Sequence, residues 1–173
     1  MSEIRIDPIT GRHVIFAVER DLRPTDLWNL AKEVNPMSEL DYVQKCPFCK
    51  GNESATPEEI LKVPDSEDWK VRVFPNKFPA IKSMDDENMQ SSKPHSIYEK
   101  YSGIGTHEVI VESPFHNTNY FTMNLEDFTI FIEAMVLRYK AIISNKDIEY
   151  VSFFKKKKKL AGASLFHPHS QLI

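Results

Sequence analysis

Ala161-Gly162-Ala163-Ser164-Leu165-Phe166-His167-Pro168-His169-Ser170-Gln171 is the stretch on which the reading of this chain turns. Strict alternation puts His167, His169 and Gln171 on one side of an extended segment, because strand side chains repeat with period two. Pro168 favours extension, since proline biases the residue before it away from helix. Gly162 and Ala163 are small enough to let backbone approach a bound group. Imidazoles beside a hydroxyl and an amide can attack, hold and polarise a phosphate. An isolated H-x-H is short and unspecific, and by itself it also reads as a pair of surface histidines.

Upstream, Cys46-Pro47-Phe48-Cys49 forms a C-x-x-C knuckle followed by Lys50-Gly51-Asn52-Glu53. Such a knuckle suits one tetrahedral zinc, which takes thiolate and imidazole ligands. The chain has only 2 cysteines, so a four-cysteine site is impossible. Two further ligands would come from His13, His95, His107, His116, His167 and His169. The alternative is a redox dithiol, but no thioredoxin-like βαβ pattern surrounds the pair.

The rest of the chain reads as one domain of mixed helix and strand. Its 173 residues are 41% hydrophobic and 27% charged, the balance of a globular protein with a core of its own. A net charge of −3 gives no strong field for nucleic acid. No apolar run approaches membrane-spanning length and no signal-peptide pattern opens the chain. Two closely spaced cysteines point to metal or redox chemistry in a reducing compartment. The cytoplasm is the expected location, with neither nucleic acid nor membrane as partner.

Arg12 to Val18, Trp69 to Phe74, His107 to Glu112 and Ile148 to Phe154 are strand candidates. In the second, Val71 and Val73 face one side, Arg72 and Phe74 the other. Leu125 to Ile143 carries Leu125, Phe128, Ile132, Met135, Val136, Tyr139, Ile142 and Ile143 at helical spacing. Asn124 is its expected cap, with Asp127 in the first turn. Ser83 to Tyr101 is polar and without period, and reads as a loop. Meander strands beneath one long helix give an α+β sheet protein.

Six segments, in order, resemble the amino-terminal half of galactose-1-phosphate uridylyltransferases, a branch of the histidine-triad superfamily. They are Ile6-Asp7-Pro8-Ile9-Thr10-Gly11, Arg20-Asp21-Leu22-Arg23-Pro24, the Cys46–Cys49 knuckle with Gly51-Asn52, Val71 to Pro79, His107 to His116, and His167-Pro168-His169-Ser170-Gln171. The resemblance implies a histidine-triad-like fold, an antiparallel sheet with helices packed on one face. It implies that residues 1–173 form an amino-terminal domain with the carboxy-terminal domain absent, since family members are roughly twice as long and pair as dimers whose sites use both subunits.

By the same resemblance, Cys46, Cys49, His116 and His167 match zinc ligands and His169 matches the nucleophile. Gln171 and Ser164 match residues that hold the transferred phosphate. Arg20 and Arg23 match phosphate-contacting arginines, and Asn76 a nucleotide contact. The implied reaction moves a uridylyl group from UDP-glucose to galactose 1-phosphate through a covalent nucleotidyl-histidine. The same residues fit an ADP-sugar phosphorylase, which Arg23-Pro24-Thr25-Asp26 resembles somewhat more.

One departure from the family pattern lies in Lys155 to Lys159. The family usually carries asparagine at the position of Lys156 and glycine at that of Lys158. A lysine can pair with phosphate as a point charge; five together also read as a solvated turn. The run and the chain length keep open a reading in which this is a catalytically silent, zinc-stabilised module that binds nucleotide or a partner.

Overall fold

The computed structural model describes residues 2–18, 20, 40–83, 99–157, 161 and 163–173. Among them are eight strands: β1 (Glu3–Ile6), β2 (His13–Phe16), β3 (Leu61–Val63), β4 (Val71–Pro75), β5 (Lys100–Ser102), β6 (Glu108–Val111), β7 (Phe153–Lys155) and β8 (His169–Leu172). The α-helix α1 spans Leu125–Ile143, and a 3-10 turn covers Glu53–Ala55. Strands β3-β4-β6-β8-β7 form one sheet and β2-β1-β5 a smaller one, antiparallel throughout. The α+β class is as expected, with one α-helix among the described residues rather than several. None of the helices described is long and apolar enough to cross a membrane.

Both faces of the larger sheet are covered, which is why Val71-Arg72-Val73-Phe74 and Glu108-Val109-Ile110-Val111 are buried throughout. On one face Val71, Val73, Ile110 and Leu172 pack against Phe131, Ala134 and Ile142 of α1. On the other, Phe74, Val109 and Val111 pack against Cys46, Phe48, Cys49 and Trp69. The alternation expected in β4 is therefore present, but each side meets a different layer. Arg72 tolerates full burial because Glu59 and Thr56 take its Nε and Nη2 hydrogens, and Trp69 and Phe74 lie 5.3 Å from its guanidinium carbon.

Helix α1 begins as expected, with Asn124 accepting the Asp127 N–H at 2.8 Å. Most of the expected stripe packs on the core: Ile142 is buried, and Phe128, Ile132, Met135 and Ile143 pack against the same cluster. Leu125 is 80% exposed, and Val136 and Tyr139 are also exposed, while Phe131 and Ala134 are buried. The helix is apolar on several sides, so spacing alone did not fix the edges of the core face. Its centre also contains a charge, Arg138, which grips Glu108 of β6 through Nε at 2.9 Å and Nη2 at 2.6 Å.

Three short strands escape the sequence pattern. Strand β3 has three residues, β1 four, and β5 begins at the end of the stretch read as loop. Most of that stretch, residues 84–98, lies outside the described residues. The strand expected at Ile148 to Phe154 is confined to Phe153–Lys155. Just before it, Ser152 and Ile173 exchange N–H···O bonds at 2.8 and 3.0 Å.

Candidate active site

The sheet register lines up the site. Arg72, Val111 and His169 lie opposite one another across β4, β6 and β8, as do Phe74, Val109 and Gln171. His169 and Gln171 therefore share the face that carries the cysteine knuckle, while Ser170 and Leu172 face the helix layer.

Cys46, Cys49, His116 and His167 converge, each with one ligand atom, all within 4.8 Å of one another. All four are buried. His167 Nδ1 lies 3.7 Å from Cys46 Sγ and 3.5 Å from Cys49 Sγ, and His116 Nδ1 lies 3.5 Å from Cys49 Sγ. A tetrahedral zinc with Zn–S about 2.3 Å and Zn–N about 2.0–2.1 Å separates sulfur from nitrogen by about 3.5 Å. The donor set fits a metal on that geometry. The tautomer fits as well: His167 Nε2–H donates to the Ser113 carbonyl at 2.8 Å, which leaves Nδ1 as a lone pair toward the sulfurs.

The two thiols share charge unequally. The hydrogen bond to Cys49, with burial, pushes Cys46 well up. That same bond, helped by His116 and His167, holds Cys49 well down as the thiolate.

The knuckle is shaped by Asn52, whose side chain donates to the Gln44 and Cys46 carbonyls at 3.1 and 2.8 Å, and by Gly51 at a φ of 94°. Phe48, between the cysteines, sets its ring edgewise on His169, centroids 5.2 Å apart.

His169 Nδ1 lies 2.9 Å from the His167 carbonyl oxygen and must donate to it, so Nε2 carries the lone pair. Burial pushes the His169 imidazole below its ordinary pKa, against the opposing pull of that backbone bond. It is thus an oriented, neutral base or nucleophile. Its ring lines a cavity of about 1280 Å³ between the two sheets, together with Arg20, Lys156, Ser164, His107 and Gln171. Arg20 and Ser164 are among the described residues and belong to this cavity; Arg23 lies outside the described residues.

Two neighbours were not singled out as site residues by sequence. His107, read as paired or exposed, accepts the Ala80 N–H on Nδ1 at 2.9 Å and meets Gln171 Oε1 through Nε2 at 2.8 Å. Glu112, fully buried, accepts from Lys155, Ser170 and Tyr120. Lys155 also lies over the Tyr120 ring, 3.8 Å from its centroid. So Lys155 is an ion-pair partner inside the fold, which corrects the solvated-turn reading for that residue, while Lys156 is exposed at the edge of the cavity it lines. Lys158 and Lys159 lie outside the described residues. Asn76, expected at the nucleotide, has its carboxamide within the protein: its Oδ1 accepts the Phe78 N–H at 2.9 Å, and its Nδ2 faces Gln171 Oε1 at 3.5 Å.

Known proteins resemble this chain in sequence and fold. An ADP-glucose phosphorylase from Arabidopsis thaliana is 34% identical over 173 residues, 99% of this chain and 48% of the relative. A galactose-1-phosphate uridylyltransferase from Thermotoga maritima is 28% identical, covering 99% of this chain and 46% of the relative. The crystal structure of an Arabidopsis thaliana ADP-glucose phosphorylase with bound ADP-glucose superposes with a TM-score of 0.64 at 31% identity, over 99% of this chain and 48% of that one. A uridylyltransferase structure gives 0.65 at 26% identity, over 98% and 44%. The chain spans about half the length of the curated relatives it matches. The family model for the N-terminal domain of galactose-1-phosphate uridyl transferase matches residues 1–173, and the chain belongs to that family.

Proposed function

We propose that this domain transfers a nucleotidyl group from a nucleoside diphosphate sugar through a covalent intermediate on His169. The observation that carries the reading is the His169 Nδ1–H bond to the His167 carbonyl, which leaves Nε2 as the nucleophile beside Gln171 in the cavity. Nε2 attacks the α-phosphorus. A P–N bond forms, the P–O bond to the β-phosphate breaks, and the sugar 1-phosphate leaves with that electron pair. A second phosphate nucleophile then takes the nucleotidyl group and returns the imidazole to its starting state. Arg20, Ser164 and Gln171 would stabilise charge on the phosphoryl oxygens. Cys46, Cys49, His116 and His167 would hold zinc; with four protein ligands it has no open position, so it would brace the strand rather than join the chemistry.

ADP-glucose is the first donor to test, supported by the 34% identity to an ADP-glucose phosphorylase; in that reaction orthophosphate is the second nucleophile. UDP-glucose with galactose 1-phosphate is the second reading, supported by the Thermotoga maritima relative. We also propose that residues 1–173 work as the amino-terminal domain of a larger site, in a reducing compartment such as the cytoplasm. The chain assayed alone is therefore expected to form the intermediate and to complete exchange slowly.

The test is incubation with ADP-glucose or UDP-glucose labelled at the α-phosphate, followed by denaturation. Label that survives alkali and is lost in acid marks a phosphoramidate on histidine, and the better donor identifies the base. No protein-bound label from either donor would overturn the reading.

A further inference from the structure

The Gln171 carboxamide has two unlike edges, and only its NH2 edge suits a phosphoryl oxygen. Turned the other way, it would set a carbonyl oxygen against that negative charge. Something must choose, and the hydrogen bonds around Gln171 make the choice. The Ala80 N–H points at His107 Nδ1, 2.9 Å away, so Nδ1 is the acceptor and the ring proton sits on Nε2. That Nε2–H meets Gln171 Oε1 at 2.8 Å. Asn76 adds a weaker second donor. Its Oδ1 accepts the Phe78 N–H, which turns its Nδ2 toward His107 Nε2 at 3.0 Å and Gln171 Oε1 at 3.5 Å. Because Nε2 already carries a proton, it cannot accept, and Oε1 is the acceptor Asn76 has there.

We propose that His107 is a positioning residue, held in its Nε2–H tautomer by Ala80, that fixes the Gln171 carboxamide with the NH2 edge toward the phosphoryl group. The inference rests on the nucleotidyl-transfer reading and deepens it. His107 also joins the two ends of the site. Its carbonyl accepts the Asn76 N–H at 2.8 Å, and its ring joins Ala80 to Gln171, so the loop from Asn76 to Ala80 and strand β8 are held in one frame. Its ring is buried, so water is a poor substitute donor.

The test measures the rate of adduct formation at saturating nucleotide sugar in the native chain, H107L, H107Q, Q171L and H107L/Q171L. Removing an oriented donor to a phosphoryl oxygen slows such a step by about 100-fold or more, and Q171L should show that loss. H107L should lose a comparable factor in rate with little change in half-saturating concentration. The double variant should be no slower than Q171L alone, because both changes remove one device. H107Q, which can present an N–H near Nε2, should recover much of the rate. Independently of activity, nitrogen NMR of His107 should report a protonated Nε2 and a bare Nδ1.

A fully active H107L, additive losses in the double variant, or a proton on Nδ1 would overturn the inference while the wider reading stands. Absence of adduct in the native chain would overturn both. If H107L does not fold, the H107Q rate and the spectrum of the native protein decide.

Discussion

His167 and His169 are joined through one atom: the carbonyl oxygen of His167 accepts the Nδ1–H of His169 at 2.9 Å. The ring of His167 meanwhile faces Cys46 and Cys49. Whatever holds the His167 ring therefore also holds the tautomer and the aim of His169. The intervening Pro168 limits how far one can turn without the other, since its φ is fixed. The carbonyl of Pro168 is tied in turn by the Glu112 N–H at 3.3 Å.

Metal removal should loosen both residues at once. We expect one equivalent of zinc in freshly purified protein. Stripping it with a chelator should lower the melting temperature, because ligation and folding are linked. Adduct formation should fall with it. A melting temperature unchanged after complete metal removal would contradict a bracing role for these four residues.

The two histidines should separate by mutation. His169→Ala is expected to abolish adduct formation and leave zinc content and melting temperature close to native. His167→Ala should weaken metal binding and lower the melting temperature, since it removes a ligand and the Nε2–H bond to Ser113. The same two measurements on each variant check it, and the opposite pattern would exchange the roles.

Much of this was legible in the sequence, and the reasons are local. The bounds of α1 follow from its Asn124 cap and its long periodic run, and β4 and β6 from compact β-branched stretches. The cysteine knuckle and the H-P-H stretch announce themselves by spacing. What stayed hidden depends on distant partners. His107 and Gln171 are 64 residues apart, and Glu112 and Lys155 are 43 apart. A lysine inside a run of lysines looks solvated until its carboxylate is known. The core face of α1 was legible only in part, because Arg138, a charge, lies within it and is matched by Glu108 from another strand.

The Glu112 and Lys155 pair should show strong coupling. Both side chains are largely withdrawn from water, with exposures of 0% and 15%. Breaking such a pair from one side leaves an uncompensated buried charge and costs about 3–5 kcal/mol. Lys155→Met and Glu112→Gln are each expected to destabilise by that order. The double variant should cost much less than their sum, because neither charge remains. Denaturant unfolding of the three variants measures it, and additive losses would show that the pair is not coupled.

Among the described residues of the run, Lys156 lines the cavity that Ser164, His169 and Gln171 also line. A lysine there attracts phosphate as a point charge without fixing the direction of a hydrogen bond. Its contribution should therefore depend on salt in a way that Gln171's does not. Lys156→Met is expected to raise the half-saturating concentration of nucleotide sugar about tenfold at low salt, the equivalent of about 1.4 kcal/mol. The difference from the native chain should shrink as salt is raised. Its melting temperature should stay near native, since Lys156 is exposed and the buried Glu112 is paired with Lys155. Titrating adduct formation against nucleotide sugar at two salt concentrations checks the expectation. A K156M chain with native half-saturation at low salt would remove Lys156 from the phosphate site.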